Sequence, residues 1–525
     1  MSDLLTRRLA LLTQPEQIHR LAQSLNGIEK ESLRVTPDGH LALTAHPLAL
    51  GSALTHPYIT TDYAEALLEF VTGTHADPAA AIDELRNIHR YVMSLLDGEL
   101  LWNQSMPARL PQEAAIPIGW YGTSNSGMLR HVYRRGLALR YGKAMQCIAG
   151  VHFNFSLAPQ IWPLLAESQH EPPDVLTRQS EGYMALIRNF SRYSWLLMYL
   201  FGASPALSQG FLQGRDHQLQ TLRGDTLYLP WATSLRMSDL GYQNKAQAGL
   251  RPCYTNLPAY LENLYHAVNQ PWPEYERLGT HQNGEWMQLS THILQIENEY
   301  YATIRPKRVA HRGERPLRAL HDRGVQYVEV RCIDIDPFDP VGISLDTSLF
   351  LNTFLTFCAL DESPNLPTDG WCEESGRNFA TVVREGRKPG LQLHYHGRLQ
   401  PLTDYAERLF EPLARCADAL DAAHGGSRYR DALERQRPKL YQPDLTPSGR
   451  LLAELQDSGL TFHEYALHLS EVHANTLRAE PLCPDMAARF AAASQASLDE
   501  QARLEASRDV SFDDYVSAYH ASLND

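Results

Sequence analysis

Apolar and polar positions alternate with a period of two in several short stretches of the chain. The clearest are GIEKESLRV (27–35), VHFNF (151–155) and YVEVRC (327–332). A period of two predicts strands, because successive side chains on a strand point to opposite faces. In VHFNF, Val151, Phe153 and Phe155 form an apolar face, and His152 and Asn154 form the other. In YVEVRC, Val328, Val330 and Cys332 oppose Tyr327, Glu329 and Arg331. In GIEKESLRV, Glu29 and Glu31 share a face. Helical spacing appears in 81–98, where Ile82, Leu85, Ile88, Val92 and Leu95 precede Gly98. A second helix is predicted over 412–423, with Pro412 in its first turn and Gly425-Gly426 beyond its end. TTDYAEALLEFVT (60–72) fits either type: as a strand it sets Glu69 opposite Leu68 and Phe70, and as a helix it stacks Glu65 on Glu69. Short alternations interleaved with helical runs between about 140 and 400 predict a mixed α/β (α+β) fold, its sheet antiparallel or mixed. No internal repeat or low-complexity tract interrupts the chain.

Composition narrows the function. The 525 residues are 43% apolar and 21% charged, an ordinary globular balance. The net charge of −14 argues against nucleic acid as partner. The seven cysteines are scattered and form no CxxC, which fits reduced thiols in a cytoplasmic protein. The longest apolar run, Trp195 to Phe201, is too short to span a bilayer, so no membrane is expected. Neither GxGxxG nor GxxxxGK[ST] occurs.

Two like charges held side by side repel unless a cation lies between them. Alone, each pair favours a plain structural reading: Glu29 and Glu31 a solvated strand edge, His152 with Asn154 a structural pair, and Glu329 with Arg331 a surface ion pair. If the three strands share one sheet, Glu29, Glu31, His152 and Glu329 converge, and oxygen-rich clusters with one imidazole suit Mg²⁺ or Mn²⁺. Basic runs add a polyanion-binding theme: IRPKR (304–308), EGRKPG (385–390) and SLRMSDLGYQNK (234–245). Carboxylates, Mg²⁺ and cations together describe a phosphate site. YGTSNSG (121–127) reads as a loop rich in hydrogen-bond donors, a candidate lid.

An ordered set of segments then carries a resemblance: GIEKESLRV, ITTDYAEALLEFVT, YGTSNSG, GVHFNFSL, YLFGASPA, YLPWATSLRMSDLGY, LQIENEYYATIRPKR, YVEVRCIDIDPF and EGRKPGL. Collinear from about residue 20 to beyond 400, the set resembles the bacterial glutamate–cysteine ligase family. The resemblance implies a glutamine synthetase-like core with a curved, mainly antiparallel sheet flanked by helices. It implies one catalytic unit over 1–525, with a mainly helical part from about 404 to 525. The implied reaction joins the γ-carboxylate of L-glutamate to the amine of L-cysteine through γ-glutamyl phosphate, with ATP as co-substrate and Mg²⁺ or Mn²⁺ as cofactor. The implied metal positions are Glu29, Glu31, Asp62, Glu69, His152 and Glu329. Arg331 matches a phosphate-contacting arginine; Arg236 and Arg134 match contacts to the substrate carboxylate. Tyr63, Tyr133, Leu137, Gln146, Tyr242 and Tyr301 match the cysteine pocket, with Asn154 lining the same region. Cys147, beside Gln146, is either a bystander or a redox-sensitive thiol. The partners implied are small molecules, and the chain is expected to act as a monomer. Two other readings remain: a ligase on the same core with another acceptor amine, and a non-catalytic homologue. All six metal positions carry ligand-competent side chains, against the latter.

Overall fold

In the computed structural model the described residues are 3–165, 174–241, 246–247, 250, 254–364, 371–507 and 510–523. Seven strands form the central sheet: β1 (Leu25–Val35), β2 (Ile59–Thr61), β3 (Leu67–Val71), β4 (Leu100–Trp102), β5 (Val151–Ser156), β6 (Ile304–Lys307) and β7 (Tyr327–Ile333). Their order is β6-β7-β5-β1-β3-β2, with β4 also paired to β1. Every pairing is antiparallel. The three alternating segments are therefore neighbouring strands, with Glu29 opposite His152, Glu31 opposite Glu69 and Glu329 opposite Asn154. The ambiguous segment is β2 and β3, so Glu69 lies on a strand. Glu65 instead accepts from the backbone N–H of His46 and Trp120, both at 2.5 Å.

Helix α1 (Pro78–Leu95) packs behind β1 and β3. Its start is earlier than the sequence predicts, because Asp77 caps it by accepting from Ala79 N and Pro78 suits the first turn. It ends at Leu95, and Gly98 makes the turn beyond it at φ +72°. Helix α2 (Asn125–Tyr141) begins inside the predicted 121–127 loop. Ser124 caps it, and the buried Tyr121 hydroxyl donates to Thr61 O at 2.9 Å. This anchored segment is not a free-standing lid. Helices α3 (Val175–Phe201), α4 (Leu345–Leu360) and α5 (Leu402–His424) pack against one another. Every residue of α4 from Thr347 to Leu360 is buried, as expected of a helix wrapped on all sides. Pro412 falls inside α5, not in its first turn, because the helix starts ten residues earlier, directly after a small hairpin. Four further helices follow up to Ala506, and then α6 (Phe512–Ala521). One hydrophobic cluster runs from Leu5 to Phe490, so the helical C-terminal part shares the core with the sheet. No helix among the described residues is long and apolar enough to cross a membrane.

Strand β1 departs from simple alternation on its buried side. Lys30 and Arg34 lie there and are each 1% exposed. Arg34 is satisfied by Glu99 at 2.6 Å and by Thr44 at 2.7 Å. Burial pulls the Lys30 ammonium down to about 7, against an opposing pull from Asp339.

Candidate active site

The exposed face of the sheet floors a cleft of about 820 Å³. Glu29 and Glu31 from β1, Glu69 from β3, His152 from β5, and Glu329 and Arg331 from β7 share that face, with Asp62 beside β2. The ring of His152 is the hub. Its Nδ1 lies 3.2 Å from Glu29 Oε2 and 3.7 Å from Glu329 Oε1, and its Nε2 lies 3.6 Å from Glu31 Oε1. Ligand atoms of Glu29, His152 and Glu329 all lie within 4.8 Å of one another. Asn154 sits behind this group and donates to Glu29 Oε1 at 2.9 Å. Gly150 N donates to Glu31 Oε2 at 2.6 Å.

Cations face the carboxylates. Arg331 Nη1 donates to Glu329 Oε1 at 3.1 Å, and Lys307 Nζ is 3.5 Å from Glu329 Oε2. The environments split the carboxylates. Burial raises Glu329, but Lys307, Arg331, His152 and Arg305 outweigh it and hold the carboxyl well below its usual range. Burial likewise works against Glu29, yet its bond to His152 leaves it lowered. Glu31 is raised by burial; Glu69 is raised strongly by burial and then by Glu29, Asp62 and Glu31. Arg331 is raised despite burial, by Glu329, Glu31, Glu29 and Asp62. Such splitting of close titratable groups is typical of functional sites.

The cleft also carries an aromatic wall. Tyr133, Leu137 and Tyr141 recur every four residues along one stripe of α2, and Arg134 stands beside them. Arg134 is held by the carbonyls of Asp62, Arg130 and Thr61 and lies 4.6 Å from the Tyr121 ring centroid. Tyr63, Gln146, Tyr300 and Tyr301 complete the wall. The Tyr63 hydroxyl is buried without a hydrogen-bond partner. Cys147 is buried, and burial pushes its thiol up to about 12, which favours the neutral thiol.

Most of the residues singled out from the sequence thus line one cleft: Glu29, Glu31, Asp62, Glu69, His152, Glu329, Arg331, Tyr63, Tyr133, Arg134, Leu137, Gln146 and Tyr301. Asn154 and Arg236 lie beside it. Arg236 is buried, and its guanidinium donates to Arg331 O at 2.8 Å and Ile333 O at 3.3 Å, with Asp334 Oδ1 at 3.6 Å. Tyr242 lies outside the described residues. The EGRKPG turn does not join the cleft: Arg387 holds Ala232 O and Pro230 O, and Lys388 pairs with Glu385. The IRPKR run does, because Arg305 and Lys307 fall on the cleft side of β6. The sequence singles out the run but not which of its residues face the site, and it does not assign Tyr141, Gln247, Asn298, Glu299 or Tyr300. The alternation Ile304, Arg305, Pro306, Lys307 is a usable signal, obscured by a proline that an edge strand tolerates.

Comparison with known proteins identifies the family. A family model described as glutamate-cysteine ligase matches residues 9–382. A glutamate–cysteine ligase of Bordetella petrii is 60% identical over 504 residues, covering 96% of this chain and 95% of that one. One of Azotobacter vinelandii is 57% identical over 526 residues, covering 100% and 99%. The crystal structure of a glutamate–cysteine ligase from Francisella tularensis in complex with AMP superposes with a TM-score of 0.89, at 36% identity, covering 95% of this chain and 98% of that one. The chain belongs to the glutamate–cysteine ligase family.

Proposed function

We infer that the protein joins the γ-carboxylate of L-glutamate to the amine of L-cysteine, cleaving ATP to ADP and phosphate and yielding γ-glutamylcysteine, the first step of glutathione biosynthesis. The observation that carries the reading is one cleft that holds both a carboxylate–imidazole cluster with facing cations and a set of tyrosines.

The residues fit a divalent metal. Glu329 Oε2 is buried without a hydrogen-bond partner, and carboxylates plus one imidazole form a hard-cation donor set. Glu29, Glu31, Asp62, Glu69, His152 and Glu329 are the residues that would hold Mg²⁺, with Mn²⁺ as the alternative. Bound there, the ion would supply charge neutralisation on phosphate oxygens.

A carboxylate is a poor electrophile, so the γ-carboxylate oxygen first attacks the terminal phosphorus of ATP and ADP leaves. Arg331, held beside Glu329, offsets negative charge on the transferring phosphoryl group. Arg134 is placed to receive a substrate carboxylate. Arg236, the other proposed carboxylate contact, also holds the carbonyls of Arg331 and Ile333 and so steadies the strand that presents Arg331. The neutral amine of cysteine, oriented by Tyr133, Gln146 and Tyr301, attacks the acyl carbon and phosphate departs. The tyrosine wall excludes water that would hydrolyse the acyl phosphate. The partners proposed are the small molecules L-glutamate, L-cysteine and ATP, taken up in this one cleft by a chain proposed to act as a monomer. Free buried cysteines, Cys147, Cys332, Cys358 and Cys416, support a reducing, cytoplasmic setting.

The test uses glutamate labelled with ¹⁸O in its γ-carboxylate and a panel of amines. One label should appear in inorganic phosphate per turnover, with cysteine the preferred acceptor. Label absent from phosphate would overturn the acyl-phosphate route, and preference for another amine would select the sister ligase reading.

A further inference from the structure

The segment Glu297–Tyr301 opens with a tight 3₁₀ turn over Glu297–Glu299 and lines the cleft from Asn298 to Tyr301. Both of its glutamates are buried, and each has its own arginine. Arg315 donates to Glu297 from Nε at 3.1 Å and from Nη2 at 2.7 Å. Arg140 Nη1 donates to Glu299 Oε1 at 2.9 Å, and neither side chain of that pair is exposed. Tyr141 Oη and Gln295 N complete the shell of Glu299, each at 2.6 Å. A third arginine, Arg305, donates to the carbonyls of Asn298 and Tyr300 that lie between and after these anchors.

Apolar side chains would hold a turn at lower desolvation cost than two buried ion pairs. What the pairs add is a unique geometry. Arg305 shows what that geometry links, because it stands directly opposite Glu329 in the β6–β7 ladder. One guanidinium therefore ties the aromatic wall to the strand of the acidic cluster. Arg140 ties the same wall to α2, which carries Tyr133 and Arg134. The support extends outward. The Arg315 guanidinium lies 4.7 Å from the Tyr519 ring centroid on α6, whose Phe512 and Val516 pack against Val132 of α2.

We propose that the ion pairs Glu299–Arg140 and Glu297–Arg315 are a positioning clamp that fixes the acceptor wall at a set distance from the phosphoryl-transfer groups, so that acyl phosphate meets the amine before water. This rests on the ligase reading above. The four residues are positioning residues, since the clamp acts through Tyr300 and Tyr301.

The experiment measures peptide and phosphate from the same reaction, with L-cysteine and with L-2-aminobutyrate as acceptor. In Glu299→Gln the KM for cysteine should rise about fivefold or more while that for ATP stays within about twofold. The peptide-to-phosphate ratio should fall below that of the wild type. The double variant Glu299→Gln/Arg140→Met leaves no orphaned charge, so it should recover thermal stability without recovering the ratio. Should Glu299→Gln fail to fold, this double variant and Glu297→Gln/Arg315→Met carry the same test. Unchanged coupling with all KM values moving in parallel would overturn the clamp while leaving the ligase reading intact, and so would failure of all these variants to fold. A wild-type protein releasing no phosphate with glutamate and cysteine would sink both.

Discussion

His152 stands opposite Glu29 in the ladder between β1 and β5, its Nδ1 3.2 Å from Glu29 Oε2. Glu31 and Glu329 approach the same ring at 3.6 and 3.7 Å. One imidazole thus collects three carboxylates from two strands. A divalent cation among them would replace mutual repulsion with shared coordination.

Removing charge at constant volume isolates that contribution. Glu29→Gln and Glu329→Gln should each lower kcat about 100-fold or more at saturating Mg²⁺, several kcal/mol of lost charge stabilisation. Their stabilities should differ. Glu29→Gln loses the charge-assisted bond to His152 while shedding repulsion from Glu329, and because Glu29 is held below its usual range the variant should melt slightly lower than the wild type. Glu329→Gln strands Lys307 and Arg331 beside a neutral amide and should cost on the order of 3 kcal/mol. Steady-state ADP release and denaturant melts measure both, and activity lost to EDTA should return with Mg²⁺.

Arg331→Met should depress kcat about a thousandfold, as loss of a phosphoryl-facing arginine does elsewhere. Arg331→Lys should recover little, because an ammonium lacks the planar fork that meets phosphate oxygens. Rapid-quench measurement of acyl phosphate formation locates the defect. A normal phosphoryl-transfer step followed by slow peptide formation would refute the assignment.

At the aromatic wall, Gln146→Ala should raise the KM for cysteine far more than the KM for ATP, about tenfold against less than twofold. The side chain lines the same cleft as Tyr63 and Tyr133. Equal shifts for all three substrates would show that the pocket is misassigned.

The pH prediction concerns Lys30. Its folded-state pKa of about 7 lies below the ordinary 10.5, chiefly because of burial. Between those values the unfolded chain binds more protons, so wild-type stability rises with pH across the window. Lys30→Met lacks that slope. It should be more stable than wild type at pH 7 by a few kcal/mol at most, since each tenfold loss of proton affinity on folding costs about 1.4 kcal/mol. The gap should close toward pH 10.5. Paired urea melts across this range read the difference; a constant gap would contradict it.

Much of the catalytic face is legible from the sequence because period-two patterning determines which side chains share a strand face. Glu29 with Glu31, His152 with Asn154, and Glu329 with Arg331 follow from local pattern alone. That these strands are neighbours does not, since pairing depends on contacts far apart in the chain. Glu69 is ambiguous for the same reason: its strand is decided by Glu31 across the ladder, not by ALLEFV. Asp62 stands out in TTDYAEALLEFVT as a further acidic residue, while the pocket role of the tyrosines emerges only through family resemblance. Lys30 and Arg34 show the opposite limit. Alternation places them opposite the glutamates, but their burial depends on Asp339, Thr44 and Glu99, which no local pattern connects to them.

The ladder that joins β1, β5 and β7 also has a kinetic meaning. Glu29 and His152 are 123 residues apart in sequence, and His152 and Arg331 are 179 apart. Both loops must close before the site exists, and closure entropy makes such non-local pairing slow. The cluster is therefore a late product of folding, absent from any early local intermediate. In a refolding reaction, recovery of high-affinity Mn²⁺ binding should lag behind the return of helical signal. The metal would then report the moment at which the two halves of the chain find their register.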